Sequence, residues 1–174
     1  MARHTGPVLV DTNTILDTHR IGSWVALSSG YHVETVEDCV TETQTGFQKR
    51  KPEHQIDPRQ LGKELKAVHK VTDLERAAVL LNGEGIALDP GELSLWAHAL
   101  TRKDSWVLCG PDKASLRFGV RMNCRDRMVS LERLLQEAGH NPKSLSENQT
   151  TKWLNRVLSE FVVDETRMKH LRIP

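Results

Sequence analysis

The sequence has few of the features that mark disulfide-rich, secreted or membrane-spanning proteins. It contains three cysteines in 174 residues, and Cys39, Cys109 and Cys124 match neither a zinc spacing nor a thioredoxin motif. We interpret them as free thiols, with Cys39 and Cys109 buried, which suits a reducing cytoplasm. No apolar stretch approaches the ~20 residues of a membrane span. Because Met1–His4 leads almost directly into the first apolar run, we expect no signal peptide.

Charge of one sign and aromatic side chains are also scarce. The net charge is +1 and aromatic residues make up 5% of the chain, so neither a basic surface over the whole molecule nor a base-stacking platform is indicated. A local basic patch or an acidic pocket is still compatible with this balance. The eight histidines form no His-Glu-x-x-His motif. The absence of G-x-G-x-x-G, Walker A and G-x-S-x-G sequences argues against dinucleotide or NTP binding and against α/β-hydrolase chemistry.

What the chain does have is an alternation of strand and helix patterns, in a length that suits one domain. We predict strands at 8–10, 31–33 and 106–109, with a short edge strand at 127–129. We predict helices at 15–20, 23–29, 36–50, 58–71, 73–81, 90–100, 113–119, 131–138 and 146–161. The helices at 58–71 and 73–81 are expected to pair as a hairpin.

This alternation predicts an α/β fold. We expect a three-layer α/β/α domain with a mainly parallel central sheet over residues 1–139. Residues 140–174 are expected to form a linker and a C-terminal helix and tail. The apolar face of that helix is expected to pack on the domain, with a dimer seam or a partner site as the alternative.

The first apolar run ends at a carboxylate. Val8–Val10 reads as a short buried strand, Asp11 follows it, and the turn and cap residues Thr12, Asn13 and Thr14 lead into a helix. Asp11 is either a helix cap or a functional carboxylate, because parallel α/β sheets bind ligands beyond the carboxyl ends of their strands. Taken alone, the two interpretations are even.

Three further acids share this setting. Asp112 follows the strand at 106–109, and Glu42 and Glu92 lie in helices that could run near the same edge of the sheet. Four carboxylates gathered together would repel one another, and a hard cation such as Mg²⁺ or Mn²⁺ resolves the repulsion. Each acid also has a purely structural interpretation: Glu92 stands at the capping-box spacing from Asp89, Asp112 could cap its own helix, and Glu42 could be a surface charge. Their joint occurrence favours a metal site.

The order of these acids matches a known pattern. The matching residues are Val10–Asn13, Glu42, Gly91-Glu92-Leu93 and Leu108–Asp112. On these motifs the stretch from Pro7 to about Gly139 resembles the PIN-domain family of nucleases, which includes the VapC-like toxins. The second acid of the pattern is Glu42 or one of its neighbours, and those neighbours are Glu34, Glu37 and Asp38.

The resemblance implies a divalent-metal-dependent endoribonuclease that hydrolyses phosphodiester bonds of single-stranded or structured RNA with Mg²⁺ or Mn²⁺. It implies Asp11 as the central metal ligand, Glu92 and Asp112 as ligands directly or through water, and Glu42 as a residue that completes the shell or orients the water. Candidates for hydrogen bonds to these acids are Thr12, Asn13, Thr14 and Ser115. Plain turn and cap chemistry is the alternative for the first three, and an exposed helix position is the favoured one for Ser115.

A nuclease also needs cations for the substrate backbone. Lys113, Arg117 and Arg121 follow Asp112 at i, i+4 and i+8 spacing, and Lys49 and Arg50 end the helix predicted to carry Glu42. We predict RNA contacts for these five, with solvated helix charges as an equal alternative.

Two other functions stay open. Gly110-Pro111-Asp112 keeps one acid where the family often has Thr-Asp-Asp, which fits a non-catalytic PIN-like module that binds RNA or a protein. The size also fits the toxin of a toxin–antitoxin pair, with an antitoxin as its protein partner.

Overall fold

A parallel sheet forms the centre of the molecule. The structure is a computed structural model that describes residues 3–45, 50–52 and 55–171. Its four strands, in the order β3-β2-β1-β4, are β1 Pro7–Val10, β2 His32–Val36, β3 Ala67–His69 and β4 Val107–Cys109. All three pairings are parallel, so the strands end at one common edge. The predicted three-layer α/β/α fold is confirmed.

Nine α-helices within the described residues surround this sheet. They are α1 Thr12–Arg20, α2 Trp24–Gly30, α3 Glu37–Gln44, α4 Pro58–Glu64, α5 Asp73–Asn82, α6 Pro90–Thr101, α7 Lys113–Arg121, α8 Leu131–Glu137 and α9 Thr151–Leu171. In the described part of the chain, no helix is both long enough and apolar enough to cross a bilayer.

The two faces of the sheet carry separate apolar layers, because successive side chains of a strand point to opposite sides. Val8 and Val10 of β1 pack with apolar residues of α1, α2, α4 and α8. Leu9 between them packs on the other side with residues of α3, α5, α6, α7 and α9. All three side chains are fully buried, as expected for a strand covered on both faces.

The helix predicted at 58–71 is wrong in its second half. Helix α4 ends at Glu64, and the chain then forms the edge strand β3, which pairs with β2. The prediction failed because Leu61, Leu65 and Val68 have helical spacing, although Val68 lies in the strand. The strand has three residues that are half-buried or exposed, so it lacks the alternation that identifies longer strands. The predicted hairpin of two helices is therefore absent.

The predicted edge strand at 127–129 is also wrong. This segment follows a short 3-10 turn, Arg125–Arg127, and makes a single parallel bridge between Met128 and Leu108. Helix α3 ends at Gln44 rather than at residue 50, and residues 46–49 lie outside the described part of the chain.

The C-terminal helix begins later and runs further than predicted. It spans Thr151–Leu171, and its residues Trp153, Leu154, Val157 and Leu158 are buried in the apolar layer that contains Leu9. The apolar face on which a dimer seam was considered is therefore covered by the protein's own core.

Candidate metal centre at the carboxyl edge of the sheet

Asp11 lies where β1 meets α1. Its backbone N–H donates to the carbonyl of Cys109, the last residue of β4, at 3.3 Å. Its Oδ1 accepts a hydrogen bond from the backbone N–H of Thr14 at 2.7 Å, so Asp11 is the N-cap of α1. The side chain is buried, with 3% exposure for the residue.

Asp112 occupies the equivalent position after β4. It is the N-cap of α7, and its Oδ1 accepts from the N–H of Ala114 at 2.7 Å and of Ser115 at 3.4 Å. A side chain at Gly110 would place its Cβ 2.9 Å from Oδ2 of Asp11. Glycine at this position therefore allows the end of β4 to come against the Asp11 carboxylate.

Glu92 lies in the first turn of α6, in a reciprocal capping box with Asp89. The N–H of Glu92 donates to Oδ1 of Asp89 at 2.8 Å, and the N–H of Asp89 donates to Oε2 of Glu92 at 3.1 Å. Glu92 is 5% exposed. Its other oxygen, Oε1, is buried without a hydrogen-bond partner.

Glu42 is bound to the same group of elements. Its Oε2 accepts from the hydroxyl of Thr12 at 2.6 Å, and its Oε1 accepts from the N–H of Gly91 at 2.8 Å. A Cβ at Gly91 would overlap the Glu42 carboxylate, so a glycine is required for this contact.

The neighbours considered as alternatives to Glu42 lie elsewhere. Glu34 pairs with His69 and Arg102. Asp38 pairs with Arg76 and accepts from the hydroxyl of Ser94, and Glu37 is exposed.

Burial and mutual repulsion make the charged forms of these carboxyls costly. The pKa of Asp11 is raised to about 7, mainly by burial. The hydrogen bonds from Thr14 oppose this shift, and the charges of Asp89 and Asp112 add to it. The pKa of Glu92 is raised to about 9, again mainly by burial. The backbone hydrogen bond from Asp89 opposes this shift, and the charges of Asp112 and Asp89 add to it. Each of these carboxyls would be stabilised in its charged form by a cation.

The structural and the functional interpretations of these acids are compatible. The cap hydrogen bonds use Oδ1 of Asp11, Oδ1 of Asp112 and Oε2 of Glu92, which leaves a second oxygen of each outside the caps. Asp89 joins the group as a further carboxylate that sequence reasoning assigned only to a cap. Its spacing from Glu92 was visible in the sequence, but its influence on Asp11 was not.

The acids at this edge are less tightly clustered than another group in the protein. Among the described residues, the three potential metal ligands whose donor atoms all lie within 4.8 Å of one another are Glu34, His69 and His98. They lie in β2, β3 and α6.

The polar residues predicted beside the acids have defined partners. The hydroxyl of Thr14 donates to the carbonyl of Cys109 at 3.0 Å, which fixes the start of α1 against β4. Ser115 is buried rather than exposed, and its hydroxyl accepts from Nε1 of Trp96 at 2.8 Å. Thr12 holds Glu42, and Asn13 is exposed.

Most of the cations predicted to contact RNA are engaged with the protein itself. Arg121 makes a two-pronged pair with Glu165 of α9, and Arg117 lies near Asp164 and Glu165. Lys113 is exposed.

Two more of the predicted cations, Lys49 and Arg50, follow α3 in the sequence. Arg50 donates to the carbonyls of Thr43 and Thr45. Lys49 lies outside the described residues, and RNA contact stays a prediction for all five.

The edge of the sheet thus combines the caps Asp11 and Asp112, the capping box of Asp89 and Glu92, and Glu42, which is hydrogen-bonded to α1 and α6. Comparison of the chain with protein-family models, with curated proteins and with solved structures finds no match in any of the three.

Proposed function

We propose that this protein is a divalent-metal-dependent endoribonuclease with Asp11, Glu42, Glu92 and Asp112 as its active-site carboxylates. The observation that carries the proposal is Glu92, because one oxygen of this buried carboxylate accepts no hydrogen bond and the neighbouring Asp112 carboxylate disfavours its charge. An unpartnered buried oxygen is costly, and a bound cation would remove that cost.

The donor set fits Mg²⁺ or Mn²⁺. These hard ions prefer carboxylate oxygens and keep several waters. Bound waters can bridge the ion to carboxylates that are near one another but too widely spaced to bind it all directly. The raised pKa values of Asp11 and Glu92 show that burial and neighbouring carboxylates disfavour their charged forms, which a bound cation would stabilise.

The four acids divide two tasks in this proposal. A divalent cation would screen the negative charge of the phosphate and lower the pKa of water. Asp11, Asp112 and Glu92 would hold it with the oxygens that the helix caps leave over. Glu42, fixed by Thr12 and the N–H of Gly91, would orient the attacking water for in-line hydrolysis.

The choice of RNA as substrate and of a cytoplasmic location depends on less direct support. RNA follows from the resemblance of the four acidic motifs to the PIN-domain nucleases. The cytoplasm fits three free thiols, of which Cys39 and Cys109 are buried.

A cleavage assay with matched variants tests the proposal. Structured and unstructured RNAs are incubated with Mn²⁺ or Mg²⁺, with and without EDTA, and products are resolved by electrophoresis. We expect cleavage that EDTA abolishes and that Asp11→Asn reduces by about 100-fold or more, as for loss of a principal charge-stabilising group. Asp57→Asn is the matched control, because Asp57 caps α4 in the same way but is exposed. Cleavage that persists in EDTA or in Asp11→Asn would exclude the proposed chemistry.

Gly91→Ala extends the test to Glu42. The added methyl group displaces the Glu42 carboxylate, so we expect cleavage to fall by roughly 10–100-fold while the fold is kept. Gly62→Ala in α4 is the control, since a Cβ there meets nothing within 4 Å. Equal activity in the two variants would remove Glu42 from the site.

A non-catalytic PIN-like module that binds RNA or a protein is the second candidate. It is favoured by the spacing of the acids, since the closest ligand group in the described residues is Glu34, His69 and His98 instead. RNA binding without cleavage, unaffected by Mn²⁺, EDTA or Asp11→Asn, would support this candidate.

A further inference from the structure

We infer that Glu34, His69 and His98 form a second metal site that binds Zn²⁺, separate from the acidic edge and from the proposed nuclease function. Glu34 lies in β2, in register with Leu9 of β1 and Ala67 of β3. His69 ends β3, and His98 lies in α6. The site therefore joins the edge strand, its neighbour and the helix that packs on them.

The donor atoms of the three side chains converge. One oxygen or nitrogen from each lies within 4.8 Å of the other two. Oε2 of Glu34 is 2.7 Å from Nε2 of His69, and the His69 and His98 rings are stacked with centroids 3.8 Å apart and planes at 19°. The donor atoms thus share one small volume. Because stacked rings direct their lone pairs side by side, one imidazole must turn, and Nε2 of His69 must release Glu34, for one ion to be shared.

A positive group already contacts two of these three donors. Nη1 of Arg102 donates to Oε2 of Glu34 at 2.7 Å and to Nε2 of His98 at 2.8 Å. The hydrogen bond to Arg102 identifies Nε2 of His98 as an acceptor, so its lone pair is directed at the guanidinium. A metal ion would use the same lone pair and the same carboxylate oxygen.

Arg102 has a second carboxylate to which it can stay bound. Its Nε and Nη2 donate to Asp104 at 2.9 Å and 2.6 Å, and the side chain of Asp104 is partly exposed. Release of Nη1 alone would therefore free the donors of Glu34 and His98 while the ion pair with Asp104 persists. The guanidinium acts as a competitor for the site rather than as a permanent part of it.

The donor set selects the metal. Two imidazole nitrogens and one carboxylate oxygen are the ligands of many open Zn²⁺ sites, in which water takes the remaining position. The acidic edge offers oxygen ligands only and suits harder ions. Side-chain exposures of 28% for His69 and 12% for Glu34 allow an ion to enter from solvent.

Zn²⁺ titration of the full chain by calorimetry tests the inference. The titration uses Asp11→Asn/Asp112→Asn protein, so that the acidic edge is disabled. We expect one Zn²⁺ per chain, with affinity reduced by more than about tenfold in His69→Ala and in His98→Ala. His32→Ala is the matched control, because His32 is an exposed histidine at the start of the same strand as Glu34, and it is expected to leave the affinity unchanged.

Substitution of Arg102 should change the Zn²⁺ affinity in the direction opposite to the histidine substitutions. Arg102→Ala removes the competing guanidinium, so we expect Zn²⁺ to bind several-fold more tightly. Circular dichroism of each variant shows whether the fold is retained. Absence of Zn²⁺ binding in both the Arg102→Ala protein and its parent overturns the inference. Binding that survives both histidine substitutions overturns it as well. Neither outcome affects the nuclease proposal, whose acids are in the other group.

Discussion

In three carboxylates at the sheet edge, the two oxygens have different surroundings. Asp11, Asp112 and Glu92 each satisfy helix N–H groups with one oxygen and leave the other beside acidic neighbours. Their positions were predictable, because each follows an apolar strand or a capping spacing. Their mutual repulsion was expected from their number. The burial of Asp11 and Glu92 and the contribution of Asp89 were not, since these depend on packing between elements that are far apart in the sequence. Ser115 shows the same limit, because its partner Trp96 lies on another helix.

The raised pKa values predict how the metal-free protein responds to pH. The pKa of Asp11 is raised from 3.8 to about 7 on folding, and that of Glu92 from 4.5 to about 9. Between these limits the folded state binds more protons than the unfolded chain. The stability linked to each proton is therefore complete below the unfolded pKa and is lost as pH rises through the folded pKa.

Urea denaturation in EDTA at a series of pH values measures this pH dependence of stability. We expect the free energy of unfolding to fall from about pH 5 to about pH 9, through the folded pKa of Asp11 near 7 and of Glu92 near 9, by up to ~1.4 kcal/mol per pH unit for each group. Asp11→Asn and Glu92→Gln should each flatten the decline, and Asp57→Asn should not. A profile that rises over this range, or one that Asp11→Asn leaves unchanged, would contradict the assigned burial.

Among the secondary-structure elements, those with strong patterns were predictable. Asp89, Pro90 and an apolar stripe predicted helix α6. A short run rich in β-branched residues predicted strand β1. The strand β3 has three residues and no alternation, so only its pairing with β2 reveals it. The C-terminal half of α9 is mostly polar, and it is tied to α7 by the pair between Glu165 and Arg121, which a one-dimensional pattern does not show.

The packing of α9 predicts its contribution to stability. Leu158 is 3% exposed in the core, whereas Val163 on the same helix is 48% exposed. We expect Leu158→Ala to lower the free energy of unfolding by about 2–5 kcal/mol through loss of buried contacts and a residual cavity. Val163→Ala should change it by less than about 0.5 kcal/mol. Chemical denaturation measures both, and similar values for the two would show that α9 does not share the core.

On the scale of the whole molecule, the α/β/α architecture followed from the order of strand and helix patterns, because right-handed crossovers leave few ways to arrange them. The partners of the surface cations could not be predicted from the sequence. Lys113, Arg117 and Arg121 have the same spacing whether they contact RNA, solvent or another helix. The structure pairs Arg117 and Arg121 with acids of α9.

This distribution predicts which cations affect RNA affinity. Lys113 is exposed beside Asp112 and has no ion pair within the described ranges. We expect Lys113→Ala to weaken RNA binding and to lower the slope of log affinity against log salt by about 0.7, the value for one single-strand phosphate contact. Arg121→Ala should leave the slope unchanged and reduce Tm instead. Fluorescence anisotropy at several salt concentrations separates the two, and a larger slope change for Arg121→Ala would reverse this assignment.

The central claim is that the acidic edge of the sheet holds a catalytic divalent cation. Crystals soaked in Mn²⁺ and measured at a wavelength where manganese scatters anomalously test it most directly. We predict an anomalous peak bounded by the carboxylates of Asp11, Glu92 and Asp112, and its loss in Asp11→Asn. No peak at this edge, or a peak only at Glu34, His69 and His98, would contradict the account.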